Sequence, residues 1–219
     1  MMKVTDYLGK YRAMTLHESE FWSRNQVVAG MDEAGRGPLA GPVVCACVVL
    51  SSDTLIEGVD DSKKLSEKKR ERLYELICSN ALSVGVGWAS REEIDDINIL
   101  NATLNGFRRA YELARVQCSI DALLVDGNTR VPVELPQRTV VHGDAQCYLI
   151  AAASIVAKVA RDRYMTEADK LYPQYGFARN KGYGTASHIA ALREYGPCPL
   201  HRESFIGNFV DCEGAHVSG

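Results

Sequence analysis

The sequence carries little that would mark a secreted, membrane-bound or strongly basic protein. Its seven cysteines are an odd number and no two stand as C-x-x-C, which argues against a disulfide framework or a structural zinc site. Cys45 and Cys47 share one strand face and, with Cys78, Cys118 and Cys147, are expected to be small core residues in a reducing cytoplasm. No apolar run reaches the roughly 20 residues of a membrane span. Met1 to Gln26 lacks the apolar centre of a secretory signal. The formal net charge is -3, so nucleic acid is not held by bulk charge and any polyanion site must be local. Repeats, low-complexity tracts and linkers are missing too, and the 219 residues, 46% hydrophobic and 24% charged, suit one core with a small appendage.

What the chain does contain centres on Met31-Asp32-Glu33-Ala34-Gly35-Arg36-Gly37-Pro38-Leu39-Ala40-Gly41-Pro42. Val27 to Met31 leads in and Val43 to Leu50 leads out, both valine-rich and uncharged, which predicts two antiparallel strands joined by a glycine-rich loop. Successive strand residues face opposite ways. Asp32 and Glu33 therefore share a site only if the chain leaves the strand at Glu33, as Ala34-Gly35 permits. A nucleotide cradle is excluded by spacing, because Gly41-Pro42 stands where a P-loop needs Gly-Lys-Ser/Thr, and Gly35, Gly37 and Gly41 miss G-x-G-x-x-G by one residue. The N–H groups around Gly35-Arg36-Gly37 can still form an anion-binding concavity, the plain alternative being a hairpin loop.

Along the rest of the chain, residues 1–25 form a lead-in with Tyr7, Tyr11, Phe21 and Trp22 at roughly helical spacing, and 26–219 form the main domain. Ser62 or Ser66 is the expected cap of a helix through Leu73, Leu76 and Ile77, with Lys63 and Lys64 in a charged turn before it. Ala81 to Ala89 reads as a third strand, and Glu92 to Leu113 as a helix weakly broken at Gly106. Ile120 to Val125 is a buried strand delivering Asp126 to its carboxyl end, and Arg138 to His142 is another strand, ending in Gly143-Asp144. Cys147 to Tyr164 is a core helix on whose polar edge Lys158 and Arg161 face a polyanion or solvent. Tyr172 to Phe177 and Asn180 to Thr185 read as loops carrying aromatics with basic residues, before a short helix Ala186 to Tyr195 and a tail with His201-Arg202.

Each acidic strand end alone is explained by a turn or cap. Adjacent in one sheet, the three ends would bring Asp32, Glu33, Asp126 and Asp144 together, and like charges so close need a cation between them. Oxygen ligands without His or Cys favour magnesium or manganese over zinc; His142 is expected on the other strand face, in a structural role. Two such ions about 4 Å apart activate a water and stabilise the leaving oxygen of a phosphodiester, with no protein nucleophile.

These segments, with Asp61-Ser62-Lys63-Lys64-Leu65-Ser66, Asp126-Gly127-Asn128, Ala151-Ala152-Ala153-Ser154-Ile155-Val156-Ala157-Lys158 and Lys181-Gly182-Tyr183-Gly184-Thr185, closely resemble bacterial ribonuclease HII from about Val28 to Phe209. The resemblance implies an α/β ribonuclease H-like fold, a five-stranded mixed sheet flanked by helices with the metal site on strand ends. It places the family's acidic tetrad on Asp32, Glu33, Asp126 and Asp144 and its ribose-sensing loop, which reads the 2′-OH, on Gly35, Arg36 and Gly37. Tyr183 falls where the family stacks a ring on the deoxyribose after the ribonucleotide, and Lys63, Lys64, Ser154 and Lys158 become backbone contacts. The expected activity is an endonuclease cutting 5′ of a ribonucleotide in RNA/DNA hybrids and ribonucleotide-containing duplex DNA by a two-metal mechanism. The products are 5′-phosphate and 3′-hydroxyl ends, in the service of ribonucleotide excision and primer removal, by a monomer in the cytoplasm. The rivals are another ribonuclease H-like metal nuclease acting on DNA, and a non-catalytic nucleic-acid-binding module.

Overall fold

The valine-rich segments on either side of the glycine loop pair as expected. In the computed structural model, which describes residues 4–210, β1 (Val28–Ala34) and β2 (Val43–Val49) are antiparallel, with Asp32 opposite Ala46 and Glu33 opposite Cys45. Residues 211–219 of the expected tail, and the side chain of Tyr7, lie outside the described residues. β3 (Ser83–Ala89) adds antiparallel to β2, while β4 (Ala122–Asp126) runs parallel to β1 and β5 (Gln137–Val140) parallel to β4. The order is β3-β2-β1-β4-β5, a five-stranded mixed sheet.

Every residue of β2 is buried, which is why Val43-Val44-Cys45-Ala46-Cys47-Val48-Val49 shows no polar alternation. Its side chains divide by parity. Ala46 and Val48 join the core beneath α6 (Tyr148–Leu171), whereas Cys45, Cys47 and Val49 join Phe107 and Ala110 of α4 (Arg91–Arg115) on the opposite face. α6 crosses β1 so closely that a Cβ on Gly30 would lie 2.2 Å from the Leu149 carbonyl carbon.

α3 (Glu67–Asn80) is capped by Ser66, whose hydroxyl accepts the Lys69 N–H at 3.3 Å, while Ser62 lies in a single 3-10 turn, Ser62–Lys64. The break expected at Gly106 in α4 falls instead at Asn98, where φ is 67° and ψ is 163°. Asn98 Oδ1 accepts the N–H groups of Leu100 (3.0 Å) and Asn101 (3.1 Å), so its side chain caps the second half of the helix. Gly106 serves close packing, since a Cβ there would stand 2.8 Å from Cys45 Sγ on β2. Cys45, Cys47 and Cys147 are buried, but Cys118 is half-buried and Cys78 is exposed, because α3 turns Leu73 and Ile77 inward and the next residue outward.

The lead-in is helical, α1 (Val4–Met14) and α2 (Leu16–Trp22), and Met14 and Phe21 enter the main core. Glu18 is buried against the start of α6, accepting the Leu149 N–H at 2.8 Å and the Cys147 thiol at 3.0 Å. After β5 come α5 (Gly143–Gln146), α6, α7 (Phe177–Asn180), α8 (Ala186–Tyr195) and α9 (Glu203–Ile206). The loop expected at Tyr172 to Phe177 thus contains a 3-10 turn, Pro173–Tyr175, and the start of α7. Among the described residues, no helix is long and apolar enough to cross a membrane.

The α6 crossing gives a direct test. Gly30→Ala forces a methyl against the α6 backbone and is expected to destabilise the protein by about 1–3 kcal/mol or more. A urea titration checks it; an unchanged midpoint would contradict the close crossing.

Candidate active site

The parallel register of β1 and β4 sets Met31 against Val125, so the next residues in each strand, Asp32 and Asp126, stand side by side at the same end of the sheet. Carboxylate oxygens of Asp32, Glu33 and Asp126 lie within 4.8 Å of one another. Glu33 does not leave the strand to get there, contrary to expectation: pairing continues through Ala34 opposite Val44.

Asp144 arrives differently. β5 stops at Val140, and the chain passes through the exposed, left-handed His142 (φ 56°) into α5, whose first turn carries Asp144. The expected strand end is therefore a helix start, and His142 is a turn residue rather than a strand residue facing away. Asp126 Oδ1 accepts the Gly143 N–H at 2.7 Å and so ties α5 to the end of β4. Asp144 is buried and its Oδ2 accepts the Lys63 ammonium at 2.7 Å. It lies outside the three-carboxylate cluster, yet its charge raises the pKa of both Asp32 and Asp126.

Burial, then the charges of Glu33 and Asp126, push Asp32 well above the usual carboxylate range. Burial likewise raises Glu33, against the pull of Arg36 at 3.4 Å, and raises Asp126, against the Gly143 N–H. Lys63 is raised by its bond to Asp144. The three converging carboxylates contain no nitrogen or sulfur donor, are only partly neutralised by Arg36 and Lys63, and fit a hard divalent cation.

Beside the cluster is a cleft of about 230 Å³ lined by Asp32, Glu33 and Asp126 together with Gly35, Arg36, Gly37 and Tyr183. Lys63, Ser154 and Lys158 also line it. Ser154 Oγ is 2.6 Å from Ser62 Oγ, and Lys158 donates to Asp162 at 2.6 Å while burial lowers its pKa. Lys64 is not among the lining residues; it is exposed and faces Asp61 at 3.7 Å.

The glycine loop is held by two buried arginines whose roles sequence reasoning missed. Arg161, expected on a ridge facing a polyanion or solvent, is 1% exposed and donates to the carbonyls of Pro42 (2.9 Å), Lys181 (2.9 Å) and Ala40 (3.0 Å). Arg202 is fully buried and donates to Gly35 (2.7 Å), Arg36 (3.0 Å), Pro38 (2.9 Å) and Gly41 (2.9 Å). Burial lowers them to about 10 and about 9, so both stay charged at neutral pH. With its carbonyls drawn inward, the loop leaves the N–H groups of Arg36 and Gly37 without a partner among the described residues. Gly35 adopts φ +99° with a Cβ position 2.0 Å from Arg161 Nε, so no other residue fits there. The signal was present: a proline- and glycine-rich loop leaves carbonyls that some donor must satisfy.

A mixed sheet in this order, with carboxylates gathered where β1 and β4 end together, defines a ribonuclease H-like nuclease. The family model described as Ribonuclease HII matches residues 29–208. A Ribonuclease HII of Geobacter metallireducens is 56% identical over 84% of this chain and 87% of its own length. Another, of Acetivibrio thermocellus, is 48% identical over 95% of this chain and 81% of its own length. Among solved structures, the complex of PCNA with RNase HII from Archaeoglobus fulgidus aligns with a TM-score of 0.71 at 27% identity, covering 83% of this chain and 96% of that one. The chain belongs to the ribonuclease HII family and is an endoribonuclease of the ribonuclease H type.

The raised pKa of Asp32 has a measurable consequence. A carboxyl whose pKa is higher folded than unfolded costs stability once it ionises, so the loss grows as pH rises from the unfolded value near 3.9 through the folded one. In metal-free protein at about pH 7.5, Asp32→Asn is expected to raise the melting temperature, by about 2–4 °C for each kcal/mol of repulsion and desolvation relieved. The gain fades as pH falls toward about 4. Melting curves in EDTA check this; a variant less stable than the parent near neutrality would contradict the carboxylate repulsion.

Proposed function

We propose that this chain hydrolyses the phosphodiester on the 5′ side of a ribonucleotide, in RNA/DNA hybrids and in duplex DNA with embedded ribonucleotides. The convergence of Asp32, Glu33 and Asp126 beside the Gly35-Arg36-Gly37 loop carries this reading, because it joins a cation site to a group of free N–H donors. Asp32, Glu33, Asp126 and Asp144 would hold two divalent cations, magnesium or manganese, which when bound supply Lewis acidity at the phosphate and a more acidic water.

The protein's own groups do the rest. The Arg36 and Gly37 N–H groups are donors for the ribose 2′-OH, the atom that separates RNA from DNA. A 2′-OH held in this way is not the nucleophile, so the ends are 5′-phosphate and 3′-hydroxyl rather than a cyclic phosphate. Tyr183, 45% exposed, has its ring 3.9 Å from where a Cβ on Gly37 would be, a proximity that supports its stacking on the sugar that follows. Lys63, Ser154 and Lys158 contact phosphates at the cleft, and Lys64 serves the duplex further out. Such an enzyme acts as a monomer in the cytoplasm, in ribonucleotide excision and RNA primer removal.

The test is a duplex carrying one ribonucleotide, incubated with magnesium or with EDTA, its ends mapped. Cleavage 5′ of the ribonucleotide with magnesium alone is expected. A 2′,3′-cyclic phosphate would refute the chemistry, cutting of an all-DNA duplex would indicate a DNA nuclease, and unaltered substrate a binding module. Asp126→Asn should keep the fold and lose roughly 100-fold or more in turnover, since charge stabilisation of several kcal/mol goes with it.

A further inference from the structure

Two histidines outside the cleft are buried in contact with each other. His188 on α8 and His201 are 0% and 1% exposed, and their Nε2 atoms lie 3.0 Å apart. His188 Nδ1 is 2.9 Å from the Tyr183 carbonyl oxygen, and His201 Nδ1 accepts the Cys198 N–H at 2.9 Å. These partners leave one arrangement of protons. A carbonyl only accepts, so His188 carries its proton on Nδ1 and its Nε2 must accept. His201 accepts at Nδ1, so its proton is on Nε2 and is donated to His188. Both rings are then neutral and satisfied; a second proton on His188 would oppose two N–H groups across the ring contact, and one on His201 Nδ1 would face the Cys198 N–H. Burial accordingly lowers both, His201 to about 4. Tyr175 and Phe177 pack edge-on against the pair, the Tyr175 ring 4.8 Å from His201 and the Phe177 ring 5.4 Å from His188. Among the described residues, no carboxylate pairs with either histidine.

The pair links the glycine loop to Tyr183, both of which line the cleft. His201 is followed by Arg202, which holds four carbonyls of the glycine loop, and the His201 backbone bridges to Ala40. At its other end His188 holds the carbonyl of Tyr183, whose exposed ring depends on the backbone beneath it for its position. We propose that the His188–His201 pair is a positioning device that fixes Tyr183 against the Gly35–Gly37 loop and thereby sets the preference for a ribonucleotide followed by a deoxyribonucleotide. This rests on the stacking role given to Tyr183 above.

The test compares kcat/KM on a duplex with an RNA–DNA junction and on a hybrid whose cut strand is all RNA. His188→Leu removes the donor to Tyr183 and should lower the junction-to-hybrid ratio by roughly tenfold, the scale of a misplaced contact group, with the change mainly in KM. His188→Asn keeps an amide donor near the Nδ1 position and should restore most of the ratio. His201→Leu and His201→Gln repeat the contrast from the other ring, since glutamine keeps a donor for His188. Tyr183→Ala is the reference: if it leaves the ratio unchanged, the stacking role fails. If it lowers the ratio while folded His188→Leu keeps it, the positioning role alone is overturned. Should the leucine variants not fold, 15N spectra of the unaltered protein decide, with His188 expected as the Nδ1–H tautomer and His201 as the Nε2–H tautomer at neutral pH. A charged ring, or the opposite tautomer at His188, overturns the proposal.

Discussion

The parallel pairing of β1 with β4 is the constraint on which the site depends, because it sets Asp32 and Asp126 side by side on neighbouring strands. Ladder hydrogen bonds fix this register, and the all-apolar faces of β2 and α6 fix the ladder. A slip of one residue would turn the slipped strand's side chains to the opposite face and could put Met31 in place of Asp32 or Val125 in place of Asp126. The repulsion among Asp32, Glu33 and Asp126 is thus held in place by hydrophobic burial elsewhere, and the site is pre-formed for a cation. α6 contributes on both counts. Its apolar side packs against β1, while Ser154, Lys158 and Arg161 carry the same helix to the cleft and the glycine loop.

The glycine loop shows how polar backbone is organised without secondary structure. Arg161 and Arg202 satisfy six of its carbonyls from inside, at Gly35, Arg36, Pro38, Ala40, Gly41 and Pro42. Two guanidiniums so deeply buried are tolerable only because each nitrogen has a carbonyl to face. The loop's carbonyls are consequently satisfied by the two guanidiniums, while the N–H groups of Arg36 and Gly37 have no partner among the described residues. One arginine reaches the loop from the core helix and the other from the segment before α9, so distant parts of the chain agree on its shape.

Much of this was legible in the sequence, for reasons that can be stated residue by residue. The valine runs before and after the loop point to both strands, and the carboxylates at Asp32 and Asp126 are informative only together, since a single acidic strand end is explained by a turn or cap. Asp144 was found as a candidate, but its place on α5 was not, because Arg138 to His142 has a strand-like composition whose last residues leave the strand. The break in α4 lies at Asn98 and not at Gly106: an asparagine side chain can cap a new helical start, and a glycine can be required by a neighbouring strand rather than by a break. Arg161 and Arg202 were hidden because bonds to backbone carbonyls leave no periodicity and no pairing acid. The burial of Glu18 at the start of α6 was hidden for a similar reason.

The register of β1 and β4 gathers the carboxylates of a candidate cation site in the cleft. Anomalous diffraction from crystals soaked in manganese measures this most directly. A peak coordinated by Asp32, Glu33 and Asp126 is expected. Manganese bound elsewhere, or no ordered ion at these carboxylates at saturating concentration, would contradict it.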